Sequence, residues 1–148
     1  MKPAPVPNPN ILLVDDNRDG LLVRRLVLEE IGCRVEVAQT GEEGLKIFQA
    51  RAFDLVVTDY RMPRMNGVEL IKRIRQIDPR ARVILLSGYV EALGLTEENT
   101  GADIVLAKTA NEAAQLTRSI KRLVNRPPAR KPPSTQKNPS PPARAAAR

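Results

Sequence analysis

The sequence predicts an α/β fold, a doubly wound parallel sheet of five strands with helices on both faces. Three observations carry this. Short apolar runs alternate five times with stretches of helical periodicity. The runs are near-continuous Ile, Leu and Val rather than in–out alternations, as expected of strands covered on both sides. The connections are short, so each strand–helix–strand unit closes with a right-handed crossover into a parallel sheet.

The elements follow in order. Residues 11–14 form the first strand and run into Asp15 and Asp16. Residues 18–31 place Leu22, Val23, Leu26, Val27 and Ile31 at helical spacing, with Gly32 as a stop. Residues 35–38 are a second strand, preceded by Cys33 as a small core residue. Thr40 and Glu43 have capping-box spacing before a helix bearing Leu45 and Phe48. Leu55, Val56 and Val57 make a third strand that ends in Asp59. Asn66 caps a helix with Leu70, Ile71, Ile74 and Ile77 on one face, ended by Asp78 and Pro79. Residues 83–86 form the fourth strand and finish in Ser87 and Gly88. Residues 89–100 read as a weak helix interrupted by Gly94. Residues 104–107 are the fifth strand, ending in Lys108. Thr109 and Glu112 repeat the capping-box spacing before a helix striped with Ala113, Leu116, Ile120, Leu123 and Val124. Five strands thus alternate with five helices in a (βα)5, flavodoxin-like order.

Composition sets the boundaries. Residues 1–9 contain four prolines and read as an extended lead-in, not a secretory signal. Residues 10–125 form the folded domain. Residues 126–148 hold seven prolines and no acid, and read as a disordered basic tail. Of 24 basic residues six lie in that tail, leaving 18 against 17 acids, so the domain itself is nearly neutral. Basicity is therefore a property of the tail, which could touch an anionic partner; no DNA-binding domain in cis is expected. No apolar run is long enough for a membrane span. One cysteine excludes an internal disulfide and fits a cytoplasmic setting. The absence of histidine removes the usual base for a catalytic thiol.

In open parallel sheets the functional crevice lies at the carboxyl ends of the strands. Asp15, Asp16, Asp59, Ser87 and Lys108 all fall there. Three neighbouring carboxylates repel unless a cation joins them, and a hard divalent ion such as Mg²⁺ suits an all-oxygen site. Lys108 and Ser87 add a positive charge and a hydroxyl donor, groups that hold phosphoryl oxygens. The combination points to a phosphoryl site.

VDDN at 14–17, TDYRMPRMNG at 58–67, LLSGY at 85–89 and GADIVLAK at 101–108 resemble the response-regulator receiver domain of two-component signalling. The resemblance covers about residues 10–125. It implies that Asp59 is the phosphoacceptor, taking a phosphoryl group from a partner histidine kinase or phosphotransfer protein. It further implies that Asp16, Asp59 and the backbone carbonyl of Arg61 bind Mg²⁺ directly, with Asp15 acting mostly through water. Ser87 would bond a phosphoryl oxygen, and Lys108 would pair with the acceptor or the phosphate. The chain would be a phosphorelay switch that catalyses only its own phosphorylation and dephosphorylation, not an enzyme acting on other substrates. Two positions depart from the family pattern: Thr109 stands where a cis proline usually follows the lysine, and Val105 where a switch aromatic usually lies.

Two other readings share these residues. A degenerate receiver would act as a phosphorylation-independent interaction module. A Mg²⁺-dependent phosphatase with an aspartate nucleophile would turn over small phosphate esters, although such enzymes resemble DxD at the first strand end rather than adjacent acids. A nucleotide-binding domain is disfavoured because residues 14–20 lack a glycine-rich or lysine-bearing phosphate loop.

Overall fold

The five apolar runs are five parallel strands: β1 (Asn10–Val14), β2 (Arg34–Ala38), β3 (Leu55–Asp59), β4 (Val83–Ser87) and β5 (Ile104–Ala107). In the computed structural model, which describes residues 8–125, they form one sheet in the order β2-β1-β3-β4-β5. The sequence boundaries at 1–9 and 126–148 fall largely or wholly outside the described residues.

Side chains of successive strand residues leave opposite faces, and both faces are dry. Ile11, Leu13, Leu55, Val57, Ile84 and Leu86 enter one core with Leu21, Leu28, Leu116, Ile120 and Leu123. Those last five belong to α1 (Arg18–Glu30) and to the final helix, α6 (Glu112–Val124). Leu12, Val14, Val56, Val83 and Leu85 enter the other core with Leu70, Ile71 and Ile74. This second face is covered by α2 (Gly41–Ala50) and α3 (Gly67–Ile77). Phe48 and Phe53 stack there with ring centroids 6.5 Å apart.

Caps fix where the helices begin. Asn17 Oδ1 accepts from Gly20 N–H at α1, and Asn66 Oδ1 accepts from Glu69 N–H at α3. Thr40 Oγ1 accepts from Glu43 N–H, while the Glu43 carboxylate accepts from Gln39 N–H, one residue before the cap. Gly32 follows α1 with φ +98°, the left-handed region that glycine adopts without strain.

Three expectations need correction. The weak helix over 89–100 is two single-turn helices, α4 (Val90–Leu93) and α5 (Glu97–Thr100), so the described residues contain six helices. Gly94, at φ +61°, ends α4, and Thr96 with Asn99 forms a full capping box that restarts the chain as α5. The second correction is at α6, where Asn111 rather than Thr109 occupies the N-cap. Thr109 Oγ1 accepts from Asn111 N–H, and Glu112 turns away to pair with Arg24. The third is the face of α1. Leu22, Val23, Leu26 and Ile31 are exposed, whereas Leu21, Arg24 and Leu28 face inward. Among the described residues no helix is long and apolar enough to cross a membrane, and no peptide bond is cis, Lys108–Thr109 included.

Candidate functional site

β1 lies between β2 and β3, so the chain leaves β1 in one direction and returns on its other side. Such a switch point opens a crevice at the strand carboxyl ends. Asp15 and Asp16 directly follow β1, Asp59 and Ser87 are the last residues of β3 and β4, and Lys108 directly follows β5. Backbone bonds hold these ends level: Asp15 N–H donates to Ala38 O, Tyr60 N–H to Leu86 O, and Lys108 N–H to Ser87 O.

The side chains meet as the sequence placed them. Lys108 Nζ lies 2.5 Å from Asp59 Oδ1 and 3.9 Å from Asp15 Oδ2. One carboxylate oxygen from each of Asp15, Asp16 and Asp59 lies within 4.8 Å of the others. Asp15 and Asp59 are buried, whereas Asp16 is exposed. An all-carboxylate donor set, open to solvent on the Asp16 side, fits a hard divalent ion that keeps several waters. Ser87 is buried; its Oγ accepts from Tyr89 N–H at 2.9 Å, which leaves the hydroxyl proton to donate. Arg61, two residues past β3, is exposed and lays its guanidinium 4.5 Å above the Tyr89 ring centroid, linking the loops that follow β3 and β4.

Asp59 is the perturbed acid of the group. Burial pushes its pKa above the ordinary aspartate value of 3.8, Asp15 adds to that, and Lys108 and Arg24 oppose it. Its placement depends on the backbone behind it. Gly67 N–H donates to Tyr60 O at 2.8 Å. A Cβ on Gly67 would overlap the Asp59 carbonyl oxygen and come 2.7 Å from Leu85 Cδ1. The apolar strand therefore ends in a charge whose main chain is wedged by a glycine.

Sequence reasoning missed Arg24 and Glu112. Arg24 Nη1 donates to Asp15 Oδ2 at 2.6 Å, and its Nε and Nη2 donate to the two Glu112 oxygens at 2.5 and 3.3 Å. Burial works against the Arg24 charge, yet Glu112 and Asp15 outweigh it and its pKa is raised. The available signal was a basic residue at position 24, three after Leu21 and four before Leu28, on the inward stripe of α1.

The profile of the response regulator receiver domain matches residues 11–121. The chain belongs to this family. Among curated proteins it is 39% identical over 79 residues to response regulator receiver protein Anae109_2439 of Anaeromyxobacter sp., covering 53% of this chain and 33% of that protein. It is 35% identical over 121 residues to the aerobic respiration control sensor protein ArcB of Escherichia coli, covering 80% of this chain and 15% of that protein. The chain therefore spans a third or less of the length of these relatives. Among solved structures, response regulator protein TrrA of Thermotoga maritima, in complex with Mg²⁺-BeF, aligns at TM-score 0.71 and 32% identity, covering 78% of this chain and 98% of that one. A receiver domain protein from Clostridium thermocellum aligns at TM-score 0.71 and 31% identity, covering 79% and 94%. These neighbours share the five-stranded receiver fold.

Proposed function

We propose that Asp59 is the phosphoacceptor of a two-component switch. The observation that carries this is the contact of Lys108 Nζ with Asp59 Oδ1 at 2.5 Å, at the rim where Asp15 and Asp16 converge. A carboxylate oxygen of Asp59 attacks the phosphorus of a phosphohistidine. The P–N bond breaks, its electron pair returns to the imidazole nitrogen, and an acyl phosphate remains on Asp59. The 148 residues contain no histidine, so the donor belongs to another segment or molecule, a histidine kinase or phosphotransfer protein.

Phosphoryl transfer asks for in-line positioning and neutralised oxygen charge more than for proton chemistry. Asp15, Asp16, Asp59 and the Arg61 carbonyl would hold Mg²⁺, which supplies positive charge to the phosphoryl oxygens. Lys108 is placed to follow the charge from carboxylate to phosphate, and the Ser87 hydroxyl to donate to a phosphoryl oxygen. The Ser87 loop runs directly into Tyr89 and α4, so occupancy at Asp59 would be read out on the surface of α4, α5, β5 and α6. The aromatic route is absent, because position 105 is a valine whose N–H is held by Glu97 Oε2 at 2.9 Å. The unpaired, buried Cys33 fits the reducing cytoplasm. Residues 126–148 would serve as a basic tether for an anionic partner, dispensable for the chemistry.

The test is incubation with a small phosphodonor and Mg²⁺, followed by intact mass. One phosphoryl adduct is expected on the native chain, none on Asp59→Asn, and an undiminished adduct after deletion of 127–148. Full labelling of Asp59→Asn overturns the assignment. Turnover of the phosphodonor without an adduct favours a phosphatase instead.

A further inference from the structure

Arg24 is buried, and a buried arginine is uncommon in any folded domain unless its charge is paired. It lies in the middle of α1 on the stripe that faces the sheet, between Leu21 and Leu28, and its side chain is only 11% exposed. Its guanidinium reaches two carboxylates from different parts of the chain. Asp15 belongs to the acidic rim, and Glu112 begins α6, 88 residues away from Arg24. Room for it has been made nearby. A Cβ on Gly20, one turn earlier in α1, would lie 2.9 Å from Arg24 Nη1 and 3.4 Å from Asp15 Oδ2. A glycine inside a helix costs about 1 kcal/mol relative to alanine, and here it frees the volume that the guanidinium fills.

Both oxygens of Asp15 are consequently in use. Oδ2 accepts from Arg24, and Oδ1 accepts from Asn17 N–H at 2.9 Å. The carboxylate cannot turn without breaking one of these bonds. Arg24 in turn is shared between Asp15 and the two oxygens of Glu112, so Glu112 decides how much of its charge remains for Asp15.

We infer that Arg24 is a positioning residue that acts as a built-in countercharge: it fixes the Asp15 carboxylate and sets how strongly the acidic rim attracts Mg²⁺, with Glu112 tuning that strength from α6. The inference rests on the reading of this rim as a divalent-cation site. The triad Asp15, Arg24 and Glu112 carries one net negative charge. Removing Arg24 makes it two, and neutralising Glu112 makes it zero. Affinity for a divalent cation should rise in the first case and fall in the second.

The experiment is titration with Mg²⁺ alone, followed by calorimetry and by amide shifts, on the full chain and on Arg24→Met, Arg24→Lys, Glu112→Gln and the Arg24→Met/Glu112→Gln pair. Arg24→Met should bind about tenfold tighter and Glu112→Gln several-fold weaker, the scale expected of one unit charge at this range. Arg24→Lys should remain close to native, and the paired variant, with its net charge restored, should return toward native. A purely structural salt bridge predicts a different pattern, with Arg24→Met loosening Asp15 and binding more weakly, and Glu112→Gln, in which Arg24 still holds Asp15, binding as the native chain does. That outcome, or unchanged affinities in all variants, overturns the inference. Should Arg24→Met fold only with Mg²⁺ present, Glu112→Gln decides, because Arg24 and its bond to Asp15 remain in place there. Failure of the native chain to bind Mg²⁺ would instead refute the cation site itself.

Discussion

Gly67 opens α3 directly against the main chain of Asp59, at a separation that admits no side chain. The glycine is needed for space, since its φ is not among the positive values. A methyl group there must push β3 away from α3 or displace Leu85. Gly67→Ala should lower stability by about 1–3 kcal/mol, the usual cost of overpacking, and should reduce labelling of Asp59 beyond what the loss of folded protein explains. Denaturant melts together with intact mass at matched folded fraction would check both. Native stability and labelling in Gly67→Ala would show that the helix start can shift to accommodate the methyl.

The raised pKa of Asp59 makes a signed prediction for the metal-free chain in EDTA. Between the unfolded value and the raised native value, the native state holds a proton that the unfolded state has lost. That contribution favours folding fully below the unfolded pKa and is lost as pH rises through the native one. Above the raised native value the ionised Asp59 is therefore a liability, and Asp59→Asn should melt a few degrees higher there. The gain should shrink to nothing as pH falls toward 3.8. Thermal melts of both proteins across that range would show it; an Asp59→Asn protein less stable than native above the raised value would mean that the Lys108 contact outweighs burial.

Arg75 offers a contrast, a part-buried charge with no place in the site. Its guanidinium donates to Gly101 O at 2.8 Å, to Ala81 O at 2.5 Å and to Asp103 Oδ2 at 3.1 Å, fastening α3 to the segments before β4 and β5. Arg75→Met should cost about 2–4 kcal/mol, because carbonyls and a carboxylate lose their donor in a part-buried place. At temperatures where the variant is folded, Mg²⁺ affinity and phosphoryl labelling should be native. A changed Mg²⁺ affinity would tie this network to the rim.

Cys33 is 7% exposed, and burial raises its thiol pKa. Alkylation by iodoacetamide at neutral pH should be on the order of 100-fold slower in the folded chain than in urea, limited by opening of the structure. Equal rates would place Cys33 at the surface.

How far the sequence was legible depended on whether a residue's neighbours were local. Continuous apolar runs gave the strands to within a residue, since double burial leaves little choice of residue type. The rim residues were legible because each stands at a strand end, and the fold alone gathers strand ends. Asn66 and Thr40 could be read as caps because capping is settled within four residues. Glu112 could not. Its spacing from Thr109 imitates a capping box, but a buried guanidinium from α1 competes for it and wins. The face of α1 was misjudged for the same reason: Leu22, Val23 and Leu26 outnumber Leu21 and Leu28 in any count of apolar periodicity, yet Arg24 turns the helix toward Asp15. Helix 89–100 failed at Gly94, where a single left-handed residue divides one weak helix into two.

That division has a consequence for how the domain is built to vary. Helices of four residues contain almost no internal hydrogen bonds, so α4 and α5 are held by their ends, with Thr96 and Asn99 capping each other and Thr100 buried behind them. Amides here should exchange with solvent through small local openings, while those of β1, β3 and β4 wait for the whole domain to unfold. Apart from Glu97, which holds the Val105 N–H of β5, and the buried Thr100, a stretch held so lightly can be rewritten without disturbing the sheet. The phosphoacceptor role proposed for Asp59 could then be displayed through new surfaces by substitutions confined to this stretch.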